Sequence, residues 1–119
     1  MKRLHTFAKR LEKKGKSPIS EGKLKHFRFD AEDAISAMEA IAKDDSATAN
    51  LYAGIKAANL IELYFDIRQL WTPPPKKQLK KIRETNKGDA NVFDTFFKAT
   101  DLTERIKLLK KMVKVVFEV

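Results

Sequence analysis

Residues 51–77, LYAGIKAANLIELYFDIRQLWTPPPKK, constrain the fold more than any other stretch. Leu51, Ile55, Ala58, Ile61 and Phe65 recur at helical spacing, and Leu60, Leu63, Tyr64, Ile67 and Trp71 form a second such set. A helix with apolar residues around most of its circumference belongs in the middle of a bundle. Pro73, Pro74 and Pro75 are expected to end it, because each lacks a donor N–H and biases the residue before it away from helical angles. Lys76, Lys77, Lys80, Lys81 and Arg83 lie just beyond. A buried helix thus delivers an indole and a rigid turn to the edge of a basic surface, and that edge is the candidate site.

The flanking sequence supplies partners for such a helix. Leu4, Phe7, Ala8 and Leu11 predict a short amphipathic helix over residues 2–14, its polar face basic and its apolar face suited to packing on the bundle. Ser17-Pro18, or Ser20 one turn later, then opens a long helix to about Lys43, with Leu24, Phe27, Ala31, Ala34, Ile35, Met38 and Ile41 on one face. Asp45 or Ser46 caps the central helix, predicted over about 47–71, and so short a turn makes the two antiparallel. Gly54, Ala57 and Ala58 are small enough to admit a neighbouring backbone.

After the prolines, Leu79 and Ile82 predict a short basic helix ending near Asn86 to Gly88. Asp89 is the expected cap of a segment whose Val92, Phe93, Phe96 and Phe97 have the spacing of core residues. Asp101 with Glu104, or Thr100 just before it, resembles a capping box and opens the last helix, whose β-branched end, MVKVVFEV, could finish as helix or strand. The expectation is an all-α, up-down bundle of five or six helices, with a basic N-terminal helix over 1–16 and one bundle domain over 17–119.

At 119 residues the chain is long enough for one domain. It has no cysteine, which excludes disulfides and thiolate metal sites and fits a reducing compartment, and no apolar run approaches the roughly 20 residues of a membrane span. We therefore expect a soluble, cytoplasmic protein without membrane partners. The net charge of +9 is uneven: residues 1–28 carry +8, residues 29–71 carry −5 and residues 72–119 carry +6. Clustered lysines and arginines focus anions, so phosphate-bearing partners are the expected class.

Several catalytic chemistries have no footing. Neither a G-x-x-x-x-G-K-[ST] loop nor a G-x-G-x-x-G turn occurs. His5 and His26 are the only histidines and neither lies in a metal-ligand spacing. Asp30 and Asp33 share a helix face while Glu32 points elsewhere, an arrangement of solvated carboxylates rather than of an acid–base pair.

One resemblance adds to this reading. The segment SPISEGKLKHFRFDAEDAISAMEAI, the antiparallel return through LYAGIKAANLIELYFDIRQLW, then a tryptophan, prolines, a lysine and the LKKIRE helix resemble the helical substrate-binding domain of nucleotidyltransferases of the aminoglycoside-modifying type, a domain related to the HEPN bundle. It covers about residues 17–100, and its most specific piece is W-x-P-x-x-K, here Trp71, Pro73 and Lys76. The resemblance implies that Lys76, helped by Lys77 and Lys80, faces phosphates, that Trp71 forms a cleft wall, and that Arg68 and Tyr64 line it. It further implies a catalytic partner domain or subunit, through which a Mg-nucleotide would be held, and a homodimer, as HEPN-like bundles commonly pair. The Gly-Ser turn and carboxylate pair of that catalytic domain do not occur here, so no nucleotidyl transfer is expected of this chain alone. The Arg–His pair of HEPN ribonucleases is missing too, since Arg3 lies too close to His5 and no arginine precedes His26 at the required spacing.

Two other readings remain open at this level. A basic helical module could bind nucleic acid through the two basic regions, with affinity falling steeply as salt rises. A structural or adaptor bundle could instead dimerise through its apolar C-terminal helix.

Overall fold

The computed structural model describes residues 16–118, which form five α-helices and, among the described residues, no strand. The helix expected over residues 2–14 lies outside the described residues. Helix α1, Glu21–Ala42, starts at the second of the two expected caps: Ser20 Oγ accepts from the Lys23 N–H at 3.3 Å. Ala31, Ile35 and Met38 form its buried stripe, while Glu32, Asp33 and Glu39 are exposed. A turn over residues 43–45 leads into α2, Ser46–Ile67, where the Asp45 carboxylate accepts from the Thr48 N–H. The two helices are antiparallel, as so short a connection requires.

Helix α2 ends at Ile67, short of the predicted Trp71, and the prolines do not end it. Gln69 adopts φ 58°, the Leu70 N–H reaches back to the Phe65 carbonyl at 2.9 Å, and the Gln69 N–H reaches Asp66 at 3.1 Å. This pair of bonds is a Schellman stop, in which one left-handed residue satisfies the orphan carbonyls of the last turn. The chain is already extended when it reaches Trp71.

The circumference of α2 is also less enclosed than the sequence predicts. Leu51 is 62% exposed and Ile55 50%, whereas Ala49, Ala53, Ala57, Leu60, Ile61, Tyr64 and Phe65 are buried. Alanines four apart, rather than Gly54 and Ala58, make the small-residue stripe. A Cβ added at Gly54 would meet nothing within 4 Å, and Ala58 is exposed.

Helix α3, Pro75–Thr85, and helix α4, Lys87–Lys98, share Asn86. Its N–H closes the first onto the Ile82 carbonyl at 2.7 Å, and its side chain caps the second by accepting from the Asp89 N–H at 3.0 Å. Asp89 is therefore a first-turn residue, not the expected cap. Helix α5, Leu102–Phe117, opens at Asp101, whose carboxylate accepts from the Glu104 N–H, and the β-branched tail stays helical through Phe117.

Helices α1, α2 and α5 pack against one another, α4 packs on α5, and α3 packs on α4. Helix α5 runs parallel to α2, because Arg105 meets Asn50 at one end and Arg68 meets Val115 and Val116 at the other. Its apolar face, Ile106, Leu108, Leu109, Met112, Val113 and Val116, is buried inside the chain. Phe93 and Phe96 are core residues as predicted, and Tyr64 sits edge-on to Phe93 at 5.7 Å; Phe97 is 44% exposed. The result is one continuous helical core.

Candidate phosphate-facing surface

Helix α3 is short and strongly amphipathic. Ile82 is fully buried and Leu79 half-buried, and Arg83 fixes the helix to α4 through paired bonds to Asp94 at 3.0 and 2.8 Å. This pairing holds the Asp94 carboxyl below its ordinary range. The opposite face carries Lys76, Lys77, Lys80 and Lys81, all exposed and none ion-paired among the described residues.

The start of α3 is electrostatically unusual. Pro74 stands at the cap position and has no side chain to accept a backbone N–H, and the first turn holds no acidic residue. Lys76 and Lys77 occupy that turn instead, at the positive end of the helix dipole, where a cation is unfavourable by about 0.3–1 kcal/mol. An anion placed there would meet lysine ammoniums rather than a cradle of backbone N–H groups, since Pro74 and Pro75 have no N–H and the Lys77 N–H already donates to the Pro74 carbonyl at 2.8 Å.

Trp71 lies on the segment between α2 and α3, 52% exposed. Its charged neighbour is a residue the sequence reading did not single out. The Lys16 ammonium sits 5.7 Å from the indole centroid, 2.6 Å from Asp66 Oδ1 and 2.9 Å from Thr72 Oγ1. No local pattern could have revealed this, since Lys16 and Asp66 lie 50 positions apart.

Arg68 and Tyr64 are drawn inward, onto α4 and α5. Tyr64 is fully buried and donates its hydroxyl to Asp89 at 2.8 Å. Desolvation first, and then this bond, push its pKa up to about 12. The Arg68 guanidinium stacks 3.6 Å from the Tyr64 ring centroid, donates to the Val115 carbonyl at 2.9 Å and to Val116 and Tyr64 carbonyls at 3.3 Å, and lies 3.7 Å from Asp89. Of the six residues marked in the sequence, the fold gathers Lys76, Lys77 and Lys80 on one helix face, leaves Trp71 beside Lys16, and uses Arg68 and Tyr64 to join α2, α4 and α5.

Grooves of about 330, 370 and 240 Å³ lie along α1 and are lined by residues of α1, α2 and α5, not by the α3 lysines. Among the described residues there is no group of three or more His, Cys, Asp or Glu able to hold a metal ion, and no helix long and apolar enough to cross a membrane. Comparison with protein-family models, curated proteins and solved structures gives no match.

Proposed function

We propose that this chain is a non-catalytic binding module for phosphate-bearing partners, acting as the substrate-binding partner of a nucleotidyltransferase catalytic subunit. The observation that supports this most directly is the row of exposed lysines at the start of α3, which has no side-chain cap and whose lysines have no ion pair among the described residues. In this reading Lys76, helped by Lys77 and Lys80, neutralises polyphosphate charge, and Trp71 presents an aromatic edge to the same partner. The lysines stand on a convex helix face, so water is excluded from them only when a second surface closes over the nucleotide. A catalytic subunit bringing its own Mg-nucleotide would supply that surface.

Titration of the chain with inorganic triphosphate, by calorimetry at low salt, tests the reading. Exposed charge pairs are worth up to about 1 kcal/mol each, so Lys76→Ala should weaken binding by up to about fivefold, and the Lys76/Lys77/Lys80 triple alanine variant should abolish it. Unchanged affinity in the triple variant would remove α3 from the site. A nucleic-acid reading is favoured by one feature: Lys76 to Lys81 span about 7.5 Å of a convex surface, suited to about two neighbouring phosphates of an extended strand. It predicts binding to single-stranded oligonucleotides with a steep salt dependence and only a small loss for Lys76→Ala.

A further inference from the structure

Helix α2 carries almost no charge along its first four turns. Residues 46–60, SATANLYAGIKAANL, hold one charged side chain, Lys56, in a chain of which 34% is charged. Burial explains only part of this, because one side of the stretch faces outward: Ala47, Leu51, Ile55 and Ala58, three and four apart, are all exposed. Six large apolar side chains are exposed among the described residues. Leu51, Tyr52 and Ile55 are neighbours on this one face, while Phe29, Trp71 and Phe97 lie on three other elements. Single exposed apolar residues are ordinary, but a contiguous set depleted of charge and holding a tyrosine has the composition of an interface core.

The same face has a hollow beside this ridge. Ala34, Ala37, Met38 and Ile41 of α1 face Tyr52 and Ile55 of α2 across a trough of about 370 Å³, and Lys56 is the one charged residue that lines it.

We propose that this face is a two-fold interface with a second copy of the chain, the Leu51–Ile55 ridge of each copy seated in the α1–α2 trough of the other. A two-fold interface needs one surface to supply both halves of the fit, and here ridge and trough lie side by side. Crossing the two α2 helices antiparallel at Ile55 brings together positions equidistant from it. Leu51 then meets Asn59 and Tyr52 meets Ala58, a larger side chain against a smaller one, and Lys56 meets Gly54, so no like charges are opposed.

The size of the face sets the strength. At 62%, 48% and 50% exposed, Leu51, Tyr52 and Ile55 leave roughly 300 Å² open together. The exposed alanines and the trough walls extend the face to roughly 500 Å², so two copies bury about 1,000 Å² in all, the low end for specific association. That area suits a reversible dimer with a Kd in the micromolar range rather than a permanent one. Each copy carries a net charge of +9, so added salt should tighten the dimer by screening repulsion between copies.

Sedimentation velocity on the full-length chain tests this. The 13.7 kDa species should give way to one of twice that mass between about 5 and about 500 μM, at lower concentration as salt is raised. Leu51→Glu/Ile55→Glu should weaken the dimer at least about a hundredfold while leaving the helical circular dichroism unchanged, since both side chains are exposed. A second comparison does not depend on that variant. The sequence has no cysteine, so Ile55→Cys places one thiol of each copy at the two-fold axis and should form a disulfide-linked dimer on air oxidation, far more of it than the similarly exposed Phe97→Cys. A monomer at every concentration, a dimer untouched by the two glutamates, a dimer dissolved by salt, or equal cross-linking of the two cysteine variants would overturn the proposal.

Discussion

Replacing Arg68 separates a structural role from a binding one. Its guanidinium is 14% exposed and donates to the carbonyls of Val115 and Val116, which lie in the last turn of α5 and have no helical partner of their own. Arg68→Met keeps much of the apolar stem but leaves those two carbonyls unpaired, at about 1 kcal/mol each for partly buried groups. It also removes the cation from the Tyr64 ring, about 1 kcal/mol at a largely desolvated site. The 3.7 Å approach to Asp89 is too long to add much. The total is about 3 kcal/mol, in line with removing one partner from a buried charge network.

In urea this should lower the unfolding midpoint by roughly 2 M with little change in slope, and lower Tm by roughly 10 °C. Arg68→Lys should recover only part of the loss, because an ammonium cannot span two carbonyls as a planar fork does. Triphosphate affinity measured well below the midpoint should be unchanged. A stability loss under about 1 kcal/mol, or a lost affinity with stability intact, would refute the assignment of Arg68 to the interior and return it to the site.

Two further perturbations follow from the same structure. Gly54→Ala in α2 should raise stability by about 0.5–1 kcal/mol, seen as a higher urea midpoint, because a helical position with open space around the new methyl loses only unfolded-state freedom. Tyr64 ionises near 10 in the unfolded chain and at about 12 in the folded one, so the native state holds the proton longer. Stability should therefore fall as pH rises from 10 toward 12, less steeply in Tyr64→Phe, as followed by urea titrations at each pH.

Much of the fold was legible in local pattern. Apolar periodicity located the long helices, and capping chemistry located several of their starts: Ser20, Asp45 and Asp101 each accept the backbone N–H that their residue type suits them for. The misplaced boundaries have one cause in common. Gln69 adopts a left-handed conformation that its residue type does not advertise, so α2 stops before the prolines are reached. Asn86 and Asp89 are both good caps, and only the folded chain shows that Asn86 takes the role while Asp89 turns to Tyr64.

For the candidate site, the sequence by itself determined that lysines of one short helix would share a face, because residues three and four apart on a helix must do so. It also set the distribution of charge, basic at both ends and acidic between. Only the tertiary structure decided that Tyr64 and Arg68 serve the junction of three helices, since burial of a side chain depends on which neighbours arrive from elsewhere in the chain. The same holds for Lys16: its ammonium meets Asp66, Thr72 and Trp71 because the fold brings together segments that no local spacing relates.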